Sequence, residues 1–499
     1  MAKSKSAQKT KGKKSKGTRK GAGRASGSSK RAPERVSRFP VPHFERTVLD
    51  NGITVVTEAH PMNRAVSCGV WVERGTRHEQ PQEAGLAHFV EHLVFKRTKK
   101  RSAYKISRDM EAVGGDLNAY TSRENTAFVT HSLCEHVGLS LDILGDLVCQ
   151  PSFVASDVEK EKQVVLQEIN MAEDQLEDAI FDKYFEHFYP TSALGKPILG
   201  SAASIESMSR QAVVDFHRRQ YTADNMIVSV AGNVRHAEVV SLVEKFVRPP
   251  KPGRVGAPSI KGRATGRAAT GRGARALSQT AAKPGPNSPE VLSDSILLSP
   301  PEPTRFREVI RRSSEQVHIL VGYPSINFRD PHRFEAMVAN TLLGGGMTSR
   351  LYQEVREERG LVYSIFSQLT TFADVGMELV YAGTEPKNAP EVIEIILREM
   401  RRLKKNGIRK ADLELFKTQV KGSILLGADD IENRMNSLAV NEMMFGRYRS
   451  VDEVVRDVEK VTLDSVHEYI ESKFLPEDPS MLLMGSLPEG PTKKWLEGL

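Results

Sequence analysis

Two stretches, "FHRRQYTADNMIVSVAGNV" (216–234) and "YIESKFLPEDPSMLLMGSL" (469–487), align without a gap at an offset of 253 residues. Phe216 matches Tyr469, Tyr221 matches Phe474, and Gly232 matches Gly485. Each stretch reads as a helix end, a turn, and a strand closing on glycine. A second pair in the same order, "VSCGVWVERGT" and "VHILVGYPSIN", reads as a strand in both places. One such match can arise by chance, but two in one order argue for a duplicated domain. The chain is thereby restricted to two related halves, 40–248 and 304–499. Its 499 residues also exceed what one ordinary core accommodates.

Residues 249–303 ("PPKPGRVGAPSIKGRATGRAATGRGAR…") separate the halves as a Pro/Gly/Ala/Arg linker. A flexible coil of that length spans about 40 Å, enough to join two domains side by side. Residues 1–39 form a Lys/Gly/Ser-rich tail with almost no apolar side chains, predicted to be disordered. Of the formal net charge of +8, the tail carries +13 and the linker +5, which leaves −10 on the rest. The tail reads first as a solubilising segment and second as a tether to nucleic acid or another acidic surface, and any nucleic-acid contact is confined to the tail. There is no apolar run long enough to span a membrane and no signal-like N-terminus. Cys68, Cys134 and Cys149 are few and form no CxxC pair, so they read as reduced core thiols in a reducing, cytoplasmic setting.

Within the first half, "ERTVLDNGITVVTEAH" alternates around Asp50-Asn51-Gly52, a hairpin signal. Helical periodicity is predicted over 83–96, 102–113, 135–149, 155–188 and 236–247. Strands fall at "AVSCGVWVERGT", "DLNAYTSRENTAFVTHSL" and "NMIVSVAGNV". Strands mixed with runs of helices predict an α+β fold in each half, with a mostly antiparallel sheet packed against helices.

Chemistry concentrates in "GLAHFVEHLVFK" (85–96). His88 and His92 are four apart and share one helical face. That spacing lets two imidazoles bind one metal, while Glu91 lies on the same side within reach of a metal-activated water. Burying three ionisable groups in an apolar segment costs several kcal/mol unless something compensates, and a metal does. The pattern by itself still leaves a surface or core coincidence open.

"HFVEH" is the inverted zinc motif H-x-x-E-H. With it, the chain resembles the pitrilysin/insulinase (M16) metallopeptidases, most closely the bacterial branch similar to mitochondrial processing peptidase. The resemblance covers 45–248 and 306–487 and leaves out the basic tail and linker. It implies Zn2+ held by His88, His92 and a Glu about 76 residues further on, which is Glu168 in "EKEKQVVLQEINMAED". It implies Glu91 as general base and Glu161, two turns before Glu168, as a support for the site. It implies that Asn118, Ala119 and Tyr120 lie on an edge strand that pairs with an extended substrate. Read alone, that segment is an ordinary strand after a Gly-Gly turn. In the second half, "LLGGGMTSRLYQEVREERGLVYSI" resembles the stretch that supplies an Arg and a Tyr near the scissile carbonyl, here Arg356 and Tyr363. The triple glycine reads as a helix-interrupting turn, since no G-K-[ST] follows. "RFEAMVAN" stands where the second half would need its own zinc motif.

The expectation is a zinc endopeptidase of two halves closing as a clamshell over an extended peptide or unfolded polypeptide. The resemblance further implies that it works as a homodimer or with a related M16 subunit. The competing expectation is a non-catalytic structural or binding subunit, against which the intact set of His88, Glu91, His92 and Glu168 argues.

Overall fold

The structure, a computed structural model, describes residues 42–250 and 300–488. The predicted tail and most of the predicted linker lie outside them. The first half runs β1 (His43–Val48), β2 (Thr54–Ala59), β3 (Ala65–Val72), α1 (Leu86–Val94), α2 (Ala103–Glu111), β4 (Asp116–Thr121), β5 (Thr126–Leu133) and α3 (Val137–Cys149). It continues with α4 (Ala155–Asp174), α5 (Leu176–Phe188), α6 (Ala202–Ser207), α7 (Arg210–Gln220), β6 (Met226–Gly232) and α8 (His236–Phe246). The second half runs β7 (Arg307–Arg311), β8 (Val317–Ser325), α9 (Arg333–Gly344), a π-type helix (Tyr352–Glu358), β9 (Val362–Thr371) and β10 (Gly376–Thr384). It ends with α10 (Ala389–Asn406), α11 (Lys410–Gly427), α12 (Ile431–Phe445), α13 (Val451–Lys460), α14 (Leu463–Ser472) and β11 (Ser480–Gly485).

The sheet orders carry the duplication. The first is β1-β2-β6-β3-β5-β4 and the second β7-β11-β8-β10-β9. Substituting β7 for β2, β11 for β6, β8 for β3, β10 for β5 and β9 for β4 turns one into the other. The single parallel pair also corresponds, β2 with β6 and β7 with β11. Among the described residues, no strand of the second sheet takes the place of β1. Gly232 and Gly485 close their strands at φ of 142° and 143°, where a Cβ would sit 2.6 Å from the carbonyl oxygen of Ala65 or Gln316. Only glycine fits there, which explains why the two aligned strands end on the same residue.

In each half, one face of the sheet packs against that half's own helices. In the first, Val66, Cys68, Val70 and Phe128 meet Phe89, Leu93, Leu141, Val165 and Phe216. The opposite faces are covered by an exchange between halves. Ile180, Tyr184, Phe185 and Phe188 of α5 pack on Leu320, Leu379, Tyr381 and Leu482 of the second sheet. Ile431, Met435, Leu438 and Ala439 of α12 pack on Val56, Trp71, Ala127 and Ile227 of the first. The helix predicted over 155–188 is therefore two. It breaks at Gln175 (φ −86°, ψ 87°), where the chain leaves its own half.

Charged side chains brace the exchange. Arg434 on α12 makes two hydrogen bonds, of 2.8 and 2.6 Å, to the fully buried Glu58 of β2. Tyr448 and His60 complete the shell of Glu58, at 3.0 and 2.7 Å. Arg46 binds Glu442 at 2.8 Å. At the hairpin tips, Arg77 bridges Glu124 of the first half (3.0 Å) and Asp374 of the second. Glu124 also accepts from the Ala373 backbone N–H at 3.1 Å.

Candidate metal centre

The helix α1 starts at Gly85, whose φ of 89° excludes most side chains and where a Cβ would sit 2.6 Å from the Leu199 carbonyl oxygen. Its orphan N–H groups are met by the Glu79 carboxylate, which accepts from Gly85 N at 2.9 Å and Ala87 N at 2.7 Å. Leu86, Phe89, Val90 and Leu93 are buried and anchor the helix in the core. The remaining face carries His88, Glu91 and His92 toward α4. On α4, Val158, Glu161, Val165 and Ile169 turn inward, and Glu168 emerges half-buried opposite the histidines.

Donor atoms of His88, His92 and Glu168 all lie within 4.8 Å of one another, the one such triad among the described residues. The Nε2 atoms of His92 and His88 stand 3.5 and 4.0 Å from Glu168 Oε2. Ligands at the corners of a zinc tetrahedron are roughly 3.4 Å apart. Two imidazole nitrogens and one carboxylate oxygen, with a fourth position free, form the donor set of a catalytic zinc site. The second ring nitrogen of His92 is committed elsewhere: Nδ1 is 2.9 Å from Glu161 Oε1. That contact places the proton on Nδ1 and leaves Nε2 bare for a metal. Glu161 is itself buried, and Lys96 holds its other oxygen at 2.7 Å. The residues present therefore fit the ion.

The electrostatics set the two histidines apart: His88 favours the metal-binding form, whereas His92 holds a proton more tightly. Burial, with the neighbouring His92 charge, pushes His88 down to about 4, so the ring stays neutral, the form that binds metals. Burial lowers His92 too, but the Glu161 hydrogen bond and the surrounding carboxylates outweigh it and raise the ring. Burial raises Glu91, opposed by a 2.6 Å hydrogen bond from the Thr121 hydroxyl. A base shifted toward neutrality suits proton transfer at physiological pH.

Asn118, Ala119 and Tyr120 lie on β4, an edge strand whose far side is unpaired within its sheet. Leu117 and Ala119 pack toward the α1 core, while Tyr120 faces the other way and accepts from Trp71 Nε1 at 3.2 Å. The structure brings Arg356 and Tyr363 near one another, with the guanidinium 5.8 Å from the Tyr363 ring centroid and 4.8 Å from that of Tyr352. Arg356 also donates to the Tyr352 hydroxyl. It sits on the π-type helix rather than on a regular charged helix. Among the described residues, no hydrogen bond, ion pair or ring contact joins this pair to the metal triad. Sequence reasoning missed Glu79, Lys96 and Thr121. Lys96 follows the motif closely, but nothing local links Glu79 or Thr121 to it.

Comparison with known proteins adds a family. Residues 54–202 match the family described as "Insulinase (Peptidase family M16)", and residues 207–420 match "Peptidase M16 inactive domain". An uncharacterized zinc protease of Mycobacterium tuberculosis (strain ATCC 25618 / H37Rv) is 36% identical over 424 residues, covering 85% of this chain and 89% of its own. One from Bacillus subtilis (strain 168) is 31% identical over 448 residues, covering 89% of this chain and 100% of its own. Among solved structures, a protease from Helicobacter pylori superimposes with a TM-score of 0.75 at 19% identity, over 89% of this chain and 100% of that one. At that identity the likeness concerns the fold.

Proposed function

Because the chain belongs to the M16 (insulinase) family of peptidases, we propose that it is a zinc-dependent endopeptidase acting on extended peptides or unfolded segments. The observation that carries the proposal is the triad of His88, His92 and Glu168 with Glu91 beside it. Relatives over most of its length bear the name zinc protease, which supports the same metal. When bound, the ion supplies a Lewis acid that lowers the proton affinity of water and polarises a carbonyl.

The chain's own residues do the rest. His88 and His92 present neutral nitrogens, and Glu168 supplies a negative oxygen. Glu161 and Lys96 fix the His92 ring. Glu91 takes the proton of the attacking water and returns it to the leaving amine. The unpaired edge of β4 at Asn118, Ala119 and Tyr120 offers backbone hydrogen bonds to an extended chain, with little demand on its sequence. Arg356 and Tyr363 are proposed, on the resemblance alone, to steady the developing oxyanion. Assembly as a homodimer or with a related subunit has the same basis. The described residues contain no helix long and apolar enough to cross a membrane. A cytoplasmic location is proposed from the cysteines: burial pushes the Cys68 and Cys149 thiols up to about 12, as for inert core residues.

The test is cleavage of a fluorogenic peptide by the purified chain, with and without a chelator and after zinc is restored. Glu91→Gln should keep its zinc and lose roughly 10²–10⁴ in rate. Turnover unaffected by chelation, or full activity in zinc-loaded Glu91→Gln, refutes the proposal.

A further inference from the structure

Glu91 has one hydrogen-bond partner among the described residues, the hydroxyl of Thr121, at 2.6 Å to Oε2. A glutamate carboxylate is free to swing, because its terminal torsion is broad. One short hydrogen bond fixes it and leaves Oε1 uncommitted. Thr121 is the last residue of β4, three positions beyond Asn118 on the unpaired edge of the sheet. In the turn that follows, Ser122 accepts from Thr76 N at 3.2 Å, and Arg123 accepts from Arg77 N at 2.8 Å. Arg77 and Glu124 are then pinned to the other half through Asp374 and Ala373. The end of β4 is thus tied down on both sides.

We infer that Thr121 is a positioning residue for Glu91, so that the strand offered to the substrate also sets where the base stands. The inference rests on Glu91 acting as the base. A peptide paired along β4 would be held in register with the carboxylate that acts on it, and both would depend on one rigid segment. Among the described residues the Thr121 hydroxyl makes no hydrogen bond to any of the three metal-binding side chains, so it should matter to turnover and not to metal retention.

Thr121→Val keeps the shape and removes the hydroxyl, Thr121→Ala removes it with less bulk, and Thr121→Ser keeps it. In the full chain loaded with zinc, kcat of the Val and Ala variants should fall roughly 10–100-fold, the range for loss of a supporting contact around a metal site. KM, zinc content and melting temperature should stay near wild type, and Thr121→Ser should restore most of kcat. A rise in KM with kcat unchanged would mean that Thr121 only shapes the strand, and would overturn the inference. Zinc loss in both hydroxyl-free variants, or kcat within twofold of wild type in either variant that folds, would overturn it too. Glu91→Gln, measured in parallel, separates the two levels. If it retains full turnover, the base assignment fails. If it is inactive while Thr121→Val turns over normally, only the role of Thr121 fails.

Discussion

Glu378 should make the protein less stable as pH rises from about 4.5 toward neutrality, and Glu378→Gln should remove that penalty. The residue lies on β10, fully buried, and neither carboxylate oxygen has a hydrogen-bond partner among the described residues. Tyr323 stands across the strand pair from it, its hydroxyl likewise without a partner, as is that of Tyr469. With no cation to compensate, burial pushes Glu378 from 4.5 up to about 7; the Tyr323 hydroxyl, close by but outside hydrogen-bond geometry, offsets only part of this. The unfolded chain gives up this proton near pH 4.5 and the folded chain near 7, so folding takes up a proton between those values. Stability therefore falls as pH rises across that window and stays lower above it. At 1.36 kcal/mol per pH unit the penalty is about 3 kcal/mol. A unit of 150–250 residues shifts by roughly 2–4 °C per kcal/mol, so Glu378→Gln should melt roughly 6–12 °C higher than wild type at pH 8 if the second half melts alone. The gain should be about half that if both halves melt together. At pH 4.5 the two proteins should nearly coincide. The assay is a melting curve at half-unit steps from pH 4.5 to 8.5, and the quantity read is the difference between variant and wild type. A difference that stays flat across that range would refute the reasoning, because it would mean Glu378 is already paired or solvated.

Three further outcomes are expected. Glu168→Gln should lose zinc far more readily than Glu161→Gln, which should weaken metal affinity by about 10–100-fold; equal loss in metal analysis would reverse the two assignments. Arg434→Met should lower the stability of the folded chain by roughly 3–5 kcal/mol, because it leaves Glu58 buried without its main cation, and Glu58→Gln in the same chain should recover part of the loss in urea melts. Residues 40–248 expressed alone should be aggregation-prone and recover solubility when 304–499 is supplied as a second chain. A soluble, monomeric first half would mean that α12 is not needed to cover Trp71 and Ile227.

The motif helix α1 and the duplicated strands were legible because each leaves a local mark: a spacing of four in an apolar segment interrupted by ionisable groups, and a strand closing on glycine; Glu168 came from the family resemblance instead. The partners that steady the site were not legible. Thr121 is thirty residues from Glu91, and Glu79 reads as one acid among several. Their roles come from tertiary approach, which periodicity does not encode. The break at Gln175 was invisible for a related reason. "NMAEDQLEDAIF" contains no glycine or proline, and its residues favour helix on both sides. What ends α4 is the packing of Tyr184 and Phe188 on the other sheet, a tertiary cause that overrides a continuous local preference. Arg356 and Tyr363 illustrate a third case. Both come from the resemblance, and among the described residues no hydrogen bond, ion pair or ring contact connects them to the metal triad, although they stand near one another.

The exchanged helices have a consequence for a chain emerging from a ribosome. The first sheet is fully synthesised once β6 is out, but its outer face waits for α12, which starts roughly 200 residues later. At about 5–20 residues per second that delay is roughly 10–40 s. In the interval, Trp71, Val56 and Ile227 have no lid, and α5 has already left the tunnel without the β8, β10 and β11 surface that will receive it. The nascent protein thus carries two unfilled apolar surfaces for tens of seconds, each complementary to an element not yet made. The same elements from a neighbouring nascent chain would fit equally well. Slow translation or crowded polysomes should therefore favour swapped dimers, in which α5 and α12 reach across to another molecule.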